Sequence, residues 1–67
     1  MENNVKQNYD EMFNSLSREE KANLLSNVSS RINKRFKSLY SESILENTWN
    51  LLTEDSKRAG FEMYHNN

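Results

Sequence analysis

The chain has 67 residues and a formal net charge of −1, and 34% of its residues are apolar, below the ~45–50% of ordinary globular domains. Such a length allows one small domain, which removes only about 60% of its unfolded surface from water and has little stability to spare. Cysteine is absent, which excludes a disulfide framework and a thiolate zinc site; self-association is the remaining external support for so small a core.

The N-terminal sequence MENNVKQNYDEMF has no uninterrupted apolar stretch of the ~7–15 residues that a secretory signal requires, and no run in the chain approaches the ~18–20 needed to span a bilayer. The expectation is a soluble, cytoplasmic protein with no membrane partner. Asn and Ser supply 20 of the 67 residues, a bias shared by AT-rich genomes such as those of low-GC bacteria and their phages and plasmids.

Proline is absent and Gly60 is the only glycine, so the chain lacks the turn punctuation of hairpins and sandwiches. The sequence therefore predicts an all-α fold: a compact bundle of three to four short helices in a single domain over residues 1–67, with polar tails at 1–4 and 65–67. Helix starts are read from capping signals, in which a Ser or Thr oxygen accepts orphan N–H groups and a Glu three residues on reaches back. Ser17 with Glu20 and Ser43 with Glu46 both fit the S-x-x-E box, and Thr53 precedes the acids Glu54 and Asp55, which suit a positive helix N-terminus.

In chain order, the first apolar series is Val5, Tyr9, Met12, Phe13 and Leu16. The second runs through Ala22, Leu25, Val28, Ile32, Phe36 and Leu39 at i, i+3, i+4 spacing, and predicts one long central helix over about 18–39, the organising element of the bundle. A third segment groups Leu45, Thr48, Trp49 and Leu52. A fourth, from Glu54 to about Tyr64, carries Phe61 and Tyr64 but is interrupted by Gly60, which costs a helix interior ~1 kcal/mol relative to Ala. Phe13-Asn14-Ser15-Leu16-Ser17 followed by Lys21 echoes Trp49-Asn50-Leu51-Leu52-Thr53 followed by Lys57 at an offset of 36 residues, so each copy reads as the elbow of a helical hairpin. The match is also what two common helix starts would give by chance.

The stretch RINKRFKSLY concentrates Arg31, Lys34, Arg35 and Lys37. On a helix of about 100° per residue, Arg31, Lys34, Arg35 and Ser38 form a ridge opposite Ile32, Phe36, Leu39 and Tyr40, with Lys37 apart and Leu24 partly exposed beside the ridge. Leu24, Arg31, Lys34, Arg35 and Lys37 are thus the candidate partner-binding residues, because Arg is enriched at interface centres and presents a planar fork to carboxylates or phosphates. The bland reading stands beside it: with Glu19 and Glu20 in the first turn, cations in the last turns are what the helix dipole favours.

Elsewhere the chemistry is sparse. His65 is the only histidine, so a metal site, a cofactor and a Ser-His-Asp arrangement are not expected, and neither is enzymatic activity. The paired acids at helix starts are explained by capping. Trp49, lying among Leu45, Thr48 and Leu52, belongs in the core rather than at an interface.

Two partial resemblances involve DNA. Trp49-Asn50-Leu51-Leu52-Thr53-Glu54-Asp55-Ser56-Lys57-Arg58 resembles the junction of the second and third helices in high-mobility-group boxes, and Phe13 with Ser17-Arg18-Glu19-Glu20-Lys21-Ala22 resembles part of their first helix. The interval between these pieces is several residues too long, and the basic charge of that family is missing. Leu16-Ser17, Glu20, Ser26, Arg31, Ile44 and Trp49 are similar to the small helical Hha/YmoA family of bacterial nucleoid-associated proteins, although Ser29 stands where that family has a partner-contacting acid. Its first helix has no counterpart here. Either resemblance implies a role near DNA.

The expected function is a non-catalytic one: binding a macromolecule, another protein with an acidic surface, to modulate or inhibit it, as suits a phage or mobile-element product. The alternatives are a small DNA-associated transcriptional regulator, contacting nucleic acid, and a homo-oligomer. Charge disfavours tight nucleic-acid binding, because the stretch from Arg31 carries +4 in a chain of net −1, whereas non-specific DNA binding depends on many neutralised phosphates.

Overall fold

A computed structural model describes residues 8–66. Val5, Asn3, Asn4 and Asn67, for which the sequence suggests a helix position or polar tails, lie outside the described residues. Four α-helices, α1 (Tyr9–Asn14), α2 (Arg18–Ser26), α3 (Glu42–Asn50) and α4 (Glu54–Asn66), and a 3-10 helix at Lys34–Leu39 make up the fold, with no strand among the described residues.

The all-α expectation is met, but the long central helix is not. The α2 helix ends at Ser26, and residues 27–33 are turns and irregular chain. The cause is local. The sequence Ser26-Asn27-Val28-Ser29-Ser30 combines poor helix formers whose side chains compete for backbone bonds. Ser26 Oγ donates to the Asn23 carbonyl, Ser29 Oγ accepts from the Arg31 N–H, and the Asn33 side chain accepts from the Arg35 N–H. The apolar spacing persists across this break because Ile32 still reaches the core, at 3% exposure. The fourth segment corrects in the other direction: α4 runs unbroken through Gly60 to Asn66, so His65 is helical and not in a tail.

Two predicted caps are present. Ser17 and Glu20 form a complete capping box, and Thr53 Oγ1 accepts the Ser56 N–H while its carbonyl accepts the Lys57 N–H. The Ser43 box is displaced by two residues: Ser41 caps α3 by accepting the Ile44 N–H, and Ser43 lies inside the helix.

The 36-residue echo builds two equivalent corners. The Leu16 N–H bonds the Phe13 carbonyl and the Leu52 N–H bonds the Trp49 carbonyl, each at 3.0 Å. The principal packing then crosses between halves: α1 lies on α4, α2 on α3, and α2 on α4. At that last crossing Gly60 is buried against α2, and a Cβ there would stand 2.9 Å from Leu24 Cδ2 and 3.5 Å from Val28 Cγ2. Glycine permits this close approach, which is why α4 tolerates its weaker helix propensity.

The core consists of Phe13, Ala22, Leu24, Leu25, Ile32, Leu45, Trp49 and Phe61. The Phe13 and Trp49 rings stack with centroids 4.2 Å apart, and Phe61 meets Trp49 edge-on. Two lysines complete this centre. Lys21 Nζ sits 5.5 Å from the Phe13 centroid and bonds Glu42 at 2.8 Å, with Glu46 at 3.7 Å. Lys57 Nζ sits 5.1 Å from the Trp49 centroid and bonds Asp10 Oδ1 at 3.0 Å. The same Asp10 oxygen accepts the Trp49 indole N–H at 2.7 Å. Offset by 36 residues, Asp10 answers to Glu46 and Lys21 to Lys57, so the two halves are tied together by matched ion pairs.

This pairing is asymmetric in burial: the Lys57 side chain is 9% exposed and that of Asp10 61%. Losing Asp10 leaves the buried indole N–H without its acceptor and the buried ammonium with only Glu54, at 3.8 Å, whereas losing the Lys57 charge leaves Asp10 in water. Asp10→Ala should therefore destabilise by about 1–3 kcal/mol, a melting-temperature drop of about 4–8 °C per kcal/mol. Lys57→Met, which keeps an apolar stem on Trp49, should stay within ~1 kcal/mol of the parent chain. Equal losses in thermal melts of the two variants would contradict the asymmetry.

The Trp49 N–H first, and then the Lys57 ammonium, hold the Asp10 carboxyl below its ordinary value against a smaller opposing effect of burial. A depressed folded-state value contributes stability that is present above the unfolded carboxylate pKa of about 3.9 and lost as pH falls through the folded one. Melting temperature should accordingly decline below about pH 4. Asp10→Asn should flatten that decline; an unchanged acid limb in its melts would exclude this carboxylate as a contributor.

Candidate functional site

Among the described residues no three or more His, Cys, Asp or Glu side chains gather in a way that could hold a metal ion, and no helix is long and apolar enough to cross a membrane. Two clefts stand out among the described residues. One, of about 390 Å³ between α1 and α4, is lined by Tyr9, Met12, Arg58, Phe61, Glu62, His65 and Asn66. Its guanidinium already bonds Asp55 at 3.3 Å. A smaller one, of about 220 Å³, is walled by Asp10, Asn14, Glu46, Trp49 and Asn50, where Asp10 is engaged by Trp49 and Lys57.

Glu20 and Tyr64 face each other across the α2–α4 contact. The Ser17 backbone N–H in the capping box, followed by the Tyr64 hydroxyl, lowers the Glu20 carboxyl, while burial and then Glu20 raise the Tyr64 phenol. This is structural chemistry, accounted for by capping and packing.

The connection from α2 to α3 differs in character. It carries all four cations singled out in the sequence: Arg31, Lys34 and Arg35 are exposed and Lys37 is half-buried. No carboxylate of the described residues lies within ion-pair distance of any of them, although Lys21, Lys57 and Arg58 all have acidic partners. The fifth candidate, Leu24, is corrected outright. It is fully buried, because it packs at the Gly60 crossing instead of lying beside the cations. The opposed faces expected from an α-helical ridge also fail, since 34–39 winds as a 3-10 helix with a kink at Phe36 (φ −112°, ψ 26°).

The change of winding creates a feature the sequence did not announce. Phe36 and Leu39, expected in the core, stand 46% and 76% exposed. Both lie in the same short segment as Lys34, Arg35 and Lys37, Phe36 at the kink and Leu39 at the last position. The segment is nevertheless fixed. Arg18, at the start of α2, donates through one guanidinium nitrogen to the carbonyls of Ser38 and Tyr40 at 3.0 Å each and of Lys37 at 3.5 Å. The Tyr40 hydroxyl accepts the Asn33 N–H at 2.9 Å, and Ile32 plugs the loop into the core.

Arg18 has no motif that would reveal this role, since any first-turn arginine reads as solvated. The Ser-Asn-Ser composition at 26–30 was the one signal for the helix break, and hence for the exposure of Phe36 and Leu39. Replacing Arg18 with Gln should loosen the loop while α2 keeps its capping box. Trypsin should then cut at 31–37 about tenfold faster, the effect of ~1.4 kcal/mol in local opening, with little change in helicity by circular dichroism. Unaltered cleavage would show that the carbonyl bonds do not hold the segment.

No protein-family model, no curated protein and no solved structure matches this chain, so neither resemblance noted in its sequence gains a matching relative.

Proposed function

We propose that this is a small non-catalytic regulatory protein that binds another macromolecule, a protein, through the loop carrying Arg31, Lys34, Arg35 and Lys37, and thereby modulates or inhibits it. The observation that carries the reading is the combination of charge and order in that loop. Its cations have no carboxylate partner among the described residues, while the backbone beneath them is held by Arg18, Tyr40 and Asn33.

The alternative use of a helix terminus, in which the cations merely complement the dipole, loses its basis once α2 ends at Ser26. A short 3-10 segment has little dipole to complement. A loop already in one conformation binds without first giving up its own freedom, which favours affinity. The runner-up, a small DNA-associated regulator, rests on the same cations and would use them on phosphates.

Exchange of Arg31, Lys34 and Arg35 for Glu should leave helicity intact, since all three are exposed. The exchange should lower capture of a partner from native-host lysate by about tenfold or more. Capture equal to that of the parent chain would remove the loop from consideration. Gel-shift titration at two salt concentrations addresses the DNA alternative, because phosphate contacts must weaken as salt rises.

A further inference from the structure

We infer that the occupant of this loop is an acidic segment of another protein that brings its own apolar side chains, setting them against Phe36 and Leu39 while its carboxylates meet Arg31, Lys34 and Arg35. The inference rests on the loop reading above and specifies its partner.

Three observations select this chemistry. First, Phe36 and Leu39 are exposed within the same six residues that hold Lys34, Arg35 and Lys37, Leu39 to 76%. Apolar area of this kind gains from contact with apolar area, which a phosphate backbone does not offer. Second, charge is segregated. The chain carries −1 and the loop stretch +4, so the remainder carries −5. A long polyanion passing over the loop must run on past that acidic body, whereas a short acidic segment ends before reaching it. Third, basic and apolar residues interleave along Lys34-Arg35-Phe36-Lys37-Ser38-Leu39, so a short segment that interleaves carboxylates with apolar side chains can meet both kinds of group.

The test uses the full chain, labelled with 15N, and three probes: a pool of short peptides alternating Glu or Asp with Leu or Phe, the same pool with Leu and Phe replaced by Ser, and a short DNA duplex. The expected result is amide shifts confined to residues 29–41 with the first pool. Binding should fall about tenfold for the serine pool, for Leu39→Ser, and for the pair Lys34→Glu and Arg35→Glu. Leu39 is exposed, so its replacement leaves the fold in place, and an unchanged spectrum outside the loop verifies this.

Tighter binding of the duplex at the same amides overturns the acidic-segment occupant but leaves the loop reading standing. Equal binding of the serine pool overturns the apolar half of the recognition, and so the inference. Concentration-dependent shifts of 29–41 without any probe, abolished by Leu39→Ser, would make a second copy the occupant. Shifts elsewhere only, or none with any probe at about 1 mM, overturn the inference and the loop reading together.

Discussion

The fold depends on one contact, the face-to-face stack of Phe13 on Trp49 at the meeting point of the two halves. Each ring comes from the corner that ends a short helix, and each is covered by a lysine from the helix that follows. The indole has a polar edge that cannot be buried unpaired, and the Asp10 carboxylate both accepts its N–H and neutralises Lys57. One oxygen thus joins α1, α3 and α4. Lysine stems lie along the rings while their ammonium groups reach acids at the surface, which lets a chain with 34% apolar residues enclose a core without a disulfide.

From that centre the remaining geometry follows. The α2 and α4 helices cross closely enough that a Cβ at Gly60 would stand 2.9 Å from Leu24 Cδ2, which would have to shift. Leu24 is drawn inward by this contact and disappears from the surface. The chain leaving α2 has only Ile32 among the fully buried residues before α3 begins, so Phe36 and Leu39 have no interior to enter. The exposure of the loop's apolar side chains is therefore a consequence of where the core closes.

Arg18 links the two regions. It stands in the first turn of α2, beside the capping box, and its guanidinium holds the far end of the loop by its carbonyls. The surface cations are thereby mounted on the same helix that supplies Lys21, Leu24 and Leu25 to the core. The loop is tied to the body while its cations have no carboxylate partner among the described residues, and exposed charge of this kind contributes little to folding.

The helical class, the Ser17 and Thr53 caps, the core place of Trp49 and the two turns were legible in the sequence, although the hairpin pairing expected at those turns is replaced by packing between the halves. Each depends on residues close together in the chain, where a hydroxyl finds its own N–H or an aromatic its own turn. The extent of the central helix was not legible, because apolar spacing alone does not distinguish a helix that continues from a chain that breaks and returns one residue to the core. For the same reason the S-x-x-E pattern pointed to Ser43 where Ser41 is the cap: several local solutions were nearly equal. Tertiary packing chose among them, through the Leu24–Gly60 crossing, the Arg18 bonds to the loop carbonyls and the Tyr40 bond to Asn33. These join residues 7 to 36 positions apart, whose meeting no local rule encodes. The sequence by itself determined that helices form and where α2 and α4 begin; only the packed structure decided which apolar and basic side chains were left facing water.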